Sequence, residues 1–267
     1  MSNSKGTALI TGASTGIGAV YANRLAKRGY DLILVARSKD KLDEVAKQIE
    51  SSTGRKAETV QADLSVTADV KRIADRLTSD TSITAFVNNA GVAAATPLLA
   101  TDPDVHDQII QINVTAFTRL AVAAASSFVK RSSGLIINIG SVVALAPEQL
   151  NGVYSASKGY VQNLSIALKK ELAGKGVTLQ LVLPGATATP LWDKAGVPAH
   201  TLPAHIVMTT DDMVDASLSG LDQGEFVTIP ALPESADFDA YEKARLALAP
   251  NLSRNTPAAR YGVGARK

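Results

Sequence analysis

The feature that most narrows the fold is a regular alternation of short apolar runs with amphipathic stretches. Residues 8–10, 32–35, 58–61, 85–87, 135–139, 178–183 and 226–229 read as seven strands. Between the early ones, Leu42, Val45, Ala46 and Ile49 recur at i, i+3, i+4 and i+7, and Val70, Ile73, Ala74 and Leu77 repeat the pattern. A chain that opens βαβαβ with nearly continuous apolar strands buries both faces of a parallel sheet, because right-handed crossovers put helices on each side. The expectation is one α/β domain over residues 1–267, doubly wound, with a seven-stranded parallel sheet and helices on both faces.

Two longer helices follow. Asp102-Pro103 supplies an N-cap and a proline suited to the first helical position, opening a helix that runs to about Arg131. A second starts near Gly152 and stops around Gly174. Residues 186–210 are proline-interrupted and long enough to form a substrate lid, and 231–267 hold a short helix around 237–248 and a tail. Composition removes other classes: at 267 residues, 46% apolar and net charge +2, the chain can bury a sizeable core and carries no basic stripe for nucleic acid. Without cysteine there is neither a disulfide nor a thiolate zinc site, and His106, His200 and His205 lack metal-ligand spacing. The sequence shows no signal-like segment and no run of about 18 apolar residues, so the expectation is a cytoplasmic protein with no membrane partner.

The first strand runs into Thr11-Gly12-Ala13-Ser14-Thr15-Gly16-Ile17-Gly18 and then a helix. Such a turn lets backbone N–H groups and the helix dipole approach a pyrophosphate. Ser14 stands where the second glycine of G-x-G-x-x-G would be, and a glycine turn is sometimes only structural. After the second strand, Ala36-Arg37 replaces the acid that would select NAD and favours the 2′-phosphate of NADP; the alternative is a solvated Arg37. Asp63-Leu64 reaches the adenine edge, or Asp63 caps a helix. Asn88-Asn89-Ala90-Gly91 is either a crevice mouth or an ordinary Asn/Gly turn. Ser141 follows the fifth strand, and Tyr154 and Lys158, four apart, share one helix face.

Taken in order, Thr11 to Gly18, Asn88 to Gly91, Asn113, Ser141, Tyr154, Lys158 and Pro184-Gly185 resemble the short-chain dehydrogenase/reductase superfamily over residues 5 to about 230. The resemblance, to the branch with the Tyr-x-x-x-Lys site, implies a Rossmann fold, NADP(H) as cofactor and a tetrad of Asn113, Ser141, Tyr154 and Lys158. It implies cofactor contacts from Gly12, Ser14, Thr15, Gly16, Ile17, Gly18, Arg37, Asp63, Leu64, Asn89, Ala90, Gly91, Tyr154 and Lys158. Pro184, Gly185, Thr187 and Thr189 complete them at the nicotinamide end, with Thr187 where the family more often has Val. Tyr154 is expected to give a proton to the developing alkoxide, its phenol lowered by Lys158 as a nearby cation, helped by oxidised nicotinamide. Ser141 then orients the substrate oxygen and Asn113 anchors a relay water. Val143, Leu150, Leu191 and Trp192 are expected to line an apolar substrate pocket, with lid packing the equal alternative for Trp192. The implied activity is reversible reduction of a ketone or aldehyde with a hydrophobic flank. A 3-oxoacyl thioester reductase shares the cofactor motifs, and a non-catalytic NADP-binding redox sensor is a third reading. The family also implies a homotetramer built on helices 103–131 and 152–174.

Overall fold

In the computed structural model, which describes residues 5–263, the expected sheet is present. Strands β1 (Thr7–Thr11), β2 (Asp31–Ala36), β3 (Ala57–Gln61), β4 (Ile83–Asn88), β5 (Gly134–Ile139), β6 (Val177–Val182) and β7 (Val227–Thr228) run parallel. Their order is β3-β2-β1-β4-β5-β6-β7. The strand expected at 226–229 keeps two ladder residues, Val227 and Thr228, because β7 is an edge that among the described residues pairs only with Leu181 and Val182 of β6.

Nine helices accompany the strands among the described residues: α1 (Gly16–Lys27), α2 (Lys39–Thr53), α3 (Thr67–Ser79), α4 (Pro103–Ile110), α5 (Phe117–Arg131), α6 (Gly152–Leu172), α7 (Leu191–Lys194), α8 (Thr210–Asp222) and α9 (Ser235–Ala247). Successive residues of β1 feed opposite faces, as the two-residue strand period requires. Ala8 and Ile10 pack with Leu32, Leu34, Tyr21, Leu42 and Met213, which places α1, α2 and α8 on one side. Leu9 packs with Ile33, Phe86, Ile73, Leu120 and Phe128, which places α3 and α5 on the other. The chain crosses in opposite directions from β1 and β4, so a crevice opens beyond their carboxyl ends, where α/β sheets bind ligands.

The helix expected from 103 to 131 is not uniform. Asp102 caps α4 by accepting from Asp104 N at 2.9 Å, as expected. Residues Gln111–Ala116 then form a π-turn that inserts itself between α4 and α5. A π-turn shifts the helical register by about one residue, which periodicity alone does not reveal, and such turns recur at functional sites. By length and composition Pro103–Arg131 is also apolar enough on average to cross a membrane, although Gln111, Asn113 and Arg119 interrupt it and leave no unbroken apolar run. In the fold 56% of its most apolar window is buried, as in the core helix of a globular unit.

Residues 186–210 begin and end on a small latch. Ala188 N donates to Met208 O and Met208 N to Ala186 O, both at 2.9 Å, pairing Thr187 with Met208. The sheet and every residue expected in the site belong to a compact unit that ends at Pro230; residues from Ala231 on form a second, small unit containing α9.

Candidate active site

Helix α1 begins directly after the glycine turn, and its first N–H groups are left open. Thr15 occupies the N-cap without a side-chain hydrogen bond, and the first turn holds no acid. Four N–H groups at a helix start have no intrahelical partner, so this end offers donors and positive dipole to an anion. The glycines make room for it. Gly12 has φ +68°, and a Cβ there would lie 2.8 Å from Asn89 Nδ2. A Cβ on Gly18 would lie 2.3 Å from Gly12 O, which forbids any side chain. Asn89 locks the turn by donating through Nδ2 to Thr11 O at 2.8 Å, while Asn89 N and Ala90 N both donate to Thr11 Oγ1 at 3.0 Å. Asn88-Asn89-Ala90-Gly91 is thus built into the crevice rather than being a surface turn. Ser14 and Ile17 line the same half-buried turn.

At the far end of the crevice, Arg37 is exposed just beyond β2, and among the described residues no ion pair or hydrogen bond engages its guanidinium. Asp63 is engaged locally: Oδ1 accepts from Ser65 N at 2.9 Å and Ser65 Oγ at 2.7 Å, closing a turn ahead of α3, whose N-cap is Val66, so Asp63 is not the helix cap of the alternative reading. Leu64 is buried in the core with Val70 and Ile73, so only its backbone is available to a ligand.

Helix α6 supplies the reactive side chains. Tyr154 and Lys158 are 6% exposed each, and Lys158 Nζ lies 5.9 Å from the Tyr154 ring centre and donates to Ile139 O at 3.1 Å. Burial pushes the Tyr154 phenol up to about 12, against a hydrogen bond with Ser141 that pulls it down. Burial also pushes the Lys158 ammonium down to about 8. Without the nicotinamide that the expectation paired with Lys158, desolvation dominates at both groups, and Ser141 is the lowering influence on Tyr154. A phenol held up in this way stays protonated at neutral pH, the state a proton donor needs.

Ser141 follows β5, where its hydroxyl donates to Pro184 O at 3.4 Å and accepts from Val143 N at 3.3 Å. Asn113 sits in the π-turn, 1% exposed. Its Oδ1 accepts from Val92 N at 3.0 Å, and its Nδ2 donates to Val92 O at 2.9 Å and Ser157 Oγ at 3.0 Å. Both amide hydrogens are therefore in use, joining the loop after β4 to α6. A Cβ placed on Gly91 would lie 3.3 Å from Asn113 Oδ1 and 3.7 Å from Lys158 Nζ, so these three residues converge.

Beyond β6, a Cβ on Gly185 would touch nothing within 4 Å, leaving that backbone open to the crevice. Thr187 is 4% exposed and donates through Oγ1 to Gly185 O at 3.1 Å, so its hydroxyl shapes the turn. Thr189 lies over the glycine turn, with Cγ2 3.1 Å from where a Gly16 Cβ would be. Of the residues expected in the pocket, Val143 and Leu150 pack in one cluster with Tyr154. Leu191 and Trp192 lie in α7, and the Trp192 indole donates to Thr187 O at 2.9 Å, the lid-packing alternative. The same cluster contains Val92, Ala93, Ala94, Val105 and Ile109, which sequence reasoning missed. Asn151, which caps α6 by accepting from Val153 N at 3.0 Å and Tyr154 N at 3.3 Å, was missed too. An asparagine directly before a helix start is an N-cap signal that could have found it.

Comparison with known proteins agrees with this geometry. A family model described as short chain dehydrogenase matches residues 6–197. A short-chain dehydrogenase from Sphingobium yanoikuyae, solved in complex with NADPH, superposes with a TM-score of 0.93 at 44% identity, over 96% of this chain and 99% of that one. The bulky-bulky ketone specific alcohol dehydrogenase from Comamonas testosteroni gives 0.89 at 40% identity, over 97% and 99%. The very-long-chain 3-oxoacyl-CoA reductase of Anas platyrhynchos is 36% identical over 189 residues, which span 68% of this chain and 60% of that protein. A glycine turn open to an anion, a buried tyrosine and lysine on one helix face, and a matching family model over most of the sheet lead to one assignment: this chain belongs to the short-chain dehydrogenase family.

Proposed function

We propose that the protein is an NADP(H)-dependent carbonyl reductase, reversible as an alcohol dehydrogenase, acting on a neutral ketone or aldehyde with bulky apolar substituents. The observation that carries this reading is the buried Tyr154 phenol on one helix face with Lys158, whose Nζ lies 5.9 Å from the Tyr154 ring centre. The residues present fit a dinucleotide: Gly12, Gly16 and Gly18 leave a cradle that side chains would fill, and the α1 N-terminus supplies donors for a pyrophosphate. Arg37, with no partner for its guanidinium among the described residues, suits a 2′-phosphate, and the Sphingobium yanoikuyae relative was solved with NADPH.

When bound, the nicotinamide cofactor supplies hydride to the carbonyl carbon. Tyr154 Oη gives its proton to the carbonyl oxygen as negative charge develops there, and the Ser141 hydroxyl holds that oxygen. Lys158, charged at neutral pH, stabilises the phenolate that remains and would hold the ribose hydroxyls. The apolar cluster around Tyr154 keeps water away from the reacting carbonyl.

A second reading, reduction of a 3-oxoacyl thioester, draws on the Anas platyrhynchos relative. The flanking segments favour the first. Residues 92–102 and 142–151 contain no Lys or Arg, and their charges are Asp102 and Glu148. A phosphate-bearing carrier would find little to bind there. The test is NADPH oxidation by purified protein with a diaryl ketone and with a 3-oxoacyl-CoA. A higher kcat/KM for the ketone supports the proposal, and turnover confined to the thioester overturns it. We also propose a homotetramer through the α4–α5 and α6 faces, where Ile110, Val122 and Tyr160 are exposed; light scattering showing a monomer would refute it.

A further inference from the structure

Tyr154 is the third residue of α6, inside the turn that frays most easily, because its N–H has no intrahelical acceptor. A proton donor needs sub-ångström placement, so something outside the helix must fix that turn. Asn151 does so while making a second set of bonds. It is 3% exposed; Oδ1 accepts from Val153 N and Tyr154 N, and Nδ2 donates to Thr96 O at 3.0 Å and Thr101 Oγ1 at 3.1 Å. Thr101 Oγ1 in turn donates to Pro97 O at 2.9 Å, closing the loop on itself.

That loop carries Leu98 and Leu99, 45% and 100% exposed. It adjoins α6 directly, since Leu98 Cδ2 is 3.6 Å from where a Gly152 Cβ would lie. Just upstream, Ala95 N donates to Ala195 O at 3.1 Å, tying the loop to the 186–210 segment. Val92, Ala93 and Ala94 pack around Tyr154. The loop therefore leads from the reacting group to the surface with two leucines at its outer end.

We propose that Asn151 is a positioning residue with two separable tasks: its carbonyl oxygen sets Tyr154, and its amide nitrogen holds residues 96–101 as the apolar lip of the substrate mouth. The inference rests on reading Tyr154 as the proton donor. Serine can cap a helix but cannot reach both loop acceptors as an amide does, so Asn151→Ser separates the tasks. Thr101→Val removes one loop acceptor and leaves the cap alone.

The experiment measures kcat and KM for a diaryl ketone and a small methyl ketone at saturating NADPH, together with hydrogen–deuterium exchange of the cofactor-free protein. Asn151→Ala should lower kcat for both ketones about tenfold and speed exchange at both 152–155 and 96–101. Asn151→Ser should recover most of kcat and the protection of 152–155, while exchange at 96–101 stays fast and KM for the diaryl ketone stays raised about fivefold. Thr101→Val should reproduce that KM effect with the methyl ketone little affected. If Asn151→Ala fails to fold, the other two variants carry the test. Wild-type kinetics and exchange in the Asn151 and Thr101 variants, beside an inactive Tyr154→Phe, would overturn this inference alone. Full turnover in Tyr154→Phe would instead overturn the reading of the site on which it stands.

Discussion

Helices α1 and α6 both begin at the carboxyl edge of the sheet, and they treat their first N–H groups in opposite ways. At α1 the cap residue Thr15 makes no side-chain bond and glycines surround the turn, so the backbone itself is the binding surface. At α6 Asn151 engages the N–H groups of Val153 and Tyr154, so the backbone is closed and side chains act instead. The difference teaches how one edge serves two chemistries. An anion that many enzymes share is held by main-chain donors, whereas proton transfer needs a fixed functional group in a dry setting.

The strongest way to break the contrast is to put a side chain where the α1 turn has none. Gly18→Ala drives a Cβ to 2.3 Å from Gly12 O. The turn must open, and NADPH affinity measured by fluorescence titration should fall at least about a hundredfold, or about 3 kcal/mol.

The next effect belongs to α6. Lys158 is deprotonated near pH 8 in the folded chain against 10.5 unfolded. Between those values the unfolded chain binds more protons, so apo stability should rise with pH from about 8 to 10.5 and stay flat below. Lys158→Met should remove that rise in pH-resolved denaturation and stabilise the apo protein at pH 7 by up to about 3 kcal/mol, while abolishing turnover. Loss of activity with no gain in stability would contradict the burial argument.

Arg37→Asp acts further out along the crevice. It should lower the NADPH-over-NADH ratio of kcat/KM by roughly tenfold to a hundredfold, and an unchanged ratio would remove Arg37 from the cofactor site. The smallest effect sharpens the comparison most. Thr15→Asp would give α1 the kind of cap that α6 has, raising apo stability by about 0.5–1 kcal/mol. The same charge should weaken NADPH binding roughly tenfold by meeting the pyrophosphate.

Much of this was legible in the sequence, for identifiable reasons. The parallel strands announce themselves because both faces are buried, which makes runs such as Leu32 to Val35 continuously apolar. Tyr154 and Lys158 are readable because helical spacing fixes their common face. The π-turn around Asn113 was hidden, since a one-residue shift in register leaves the apolar pattern of 103–131 almost intact. Ile109 and Ala94 were invisible as pocket residues because α4 and the loop after β4 meet Tyr154 only in three dimensions. Trp192 and Asp63 show the converse: each has a residue type suited to a ligand, and each is bonded to its own neighbouring chain. The direction of the Tyr154 shift depended on burial, which spacing does not report.

The measurement closest to the central claim compares Tyr154→Phe with the wild type, pairing an NADPH titration with ketone turnover. Removing one hydroxyl should leave the dissociation constant within about threefold and cut kcat by about a thousandfold. Turnover near the wild-type rate would show that the proton reaches the substrate by another route, and the assignment of α6 as the catalytic helix would fall with it.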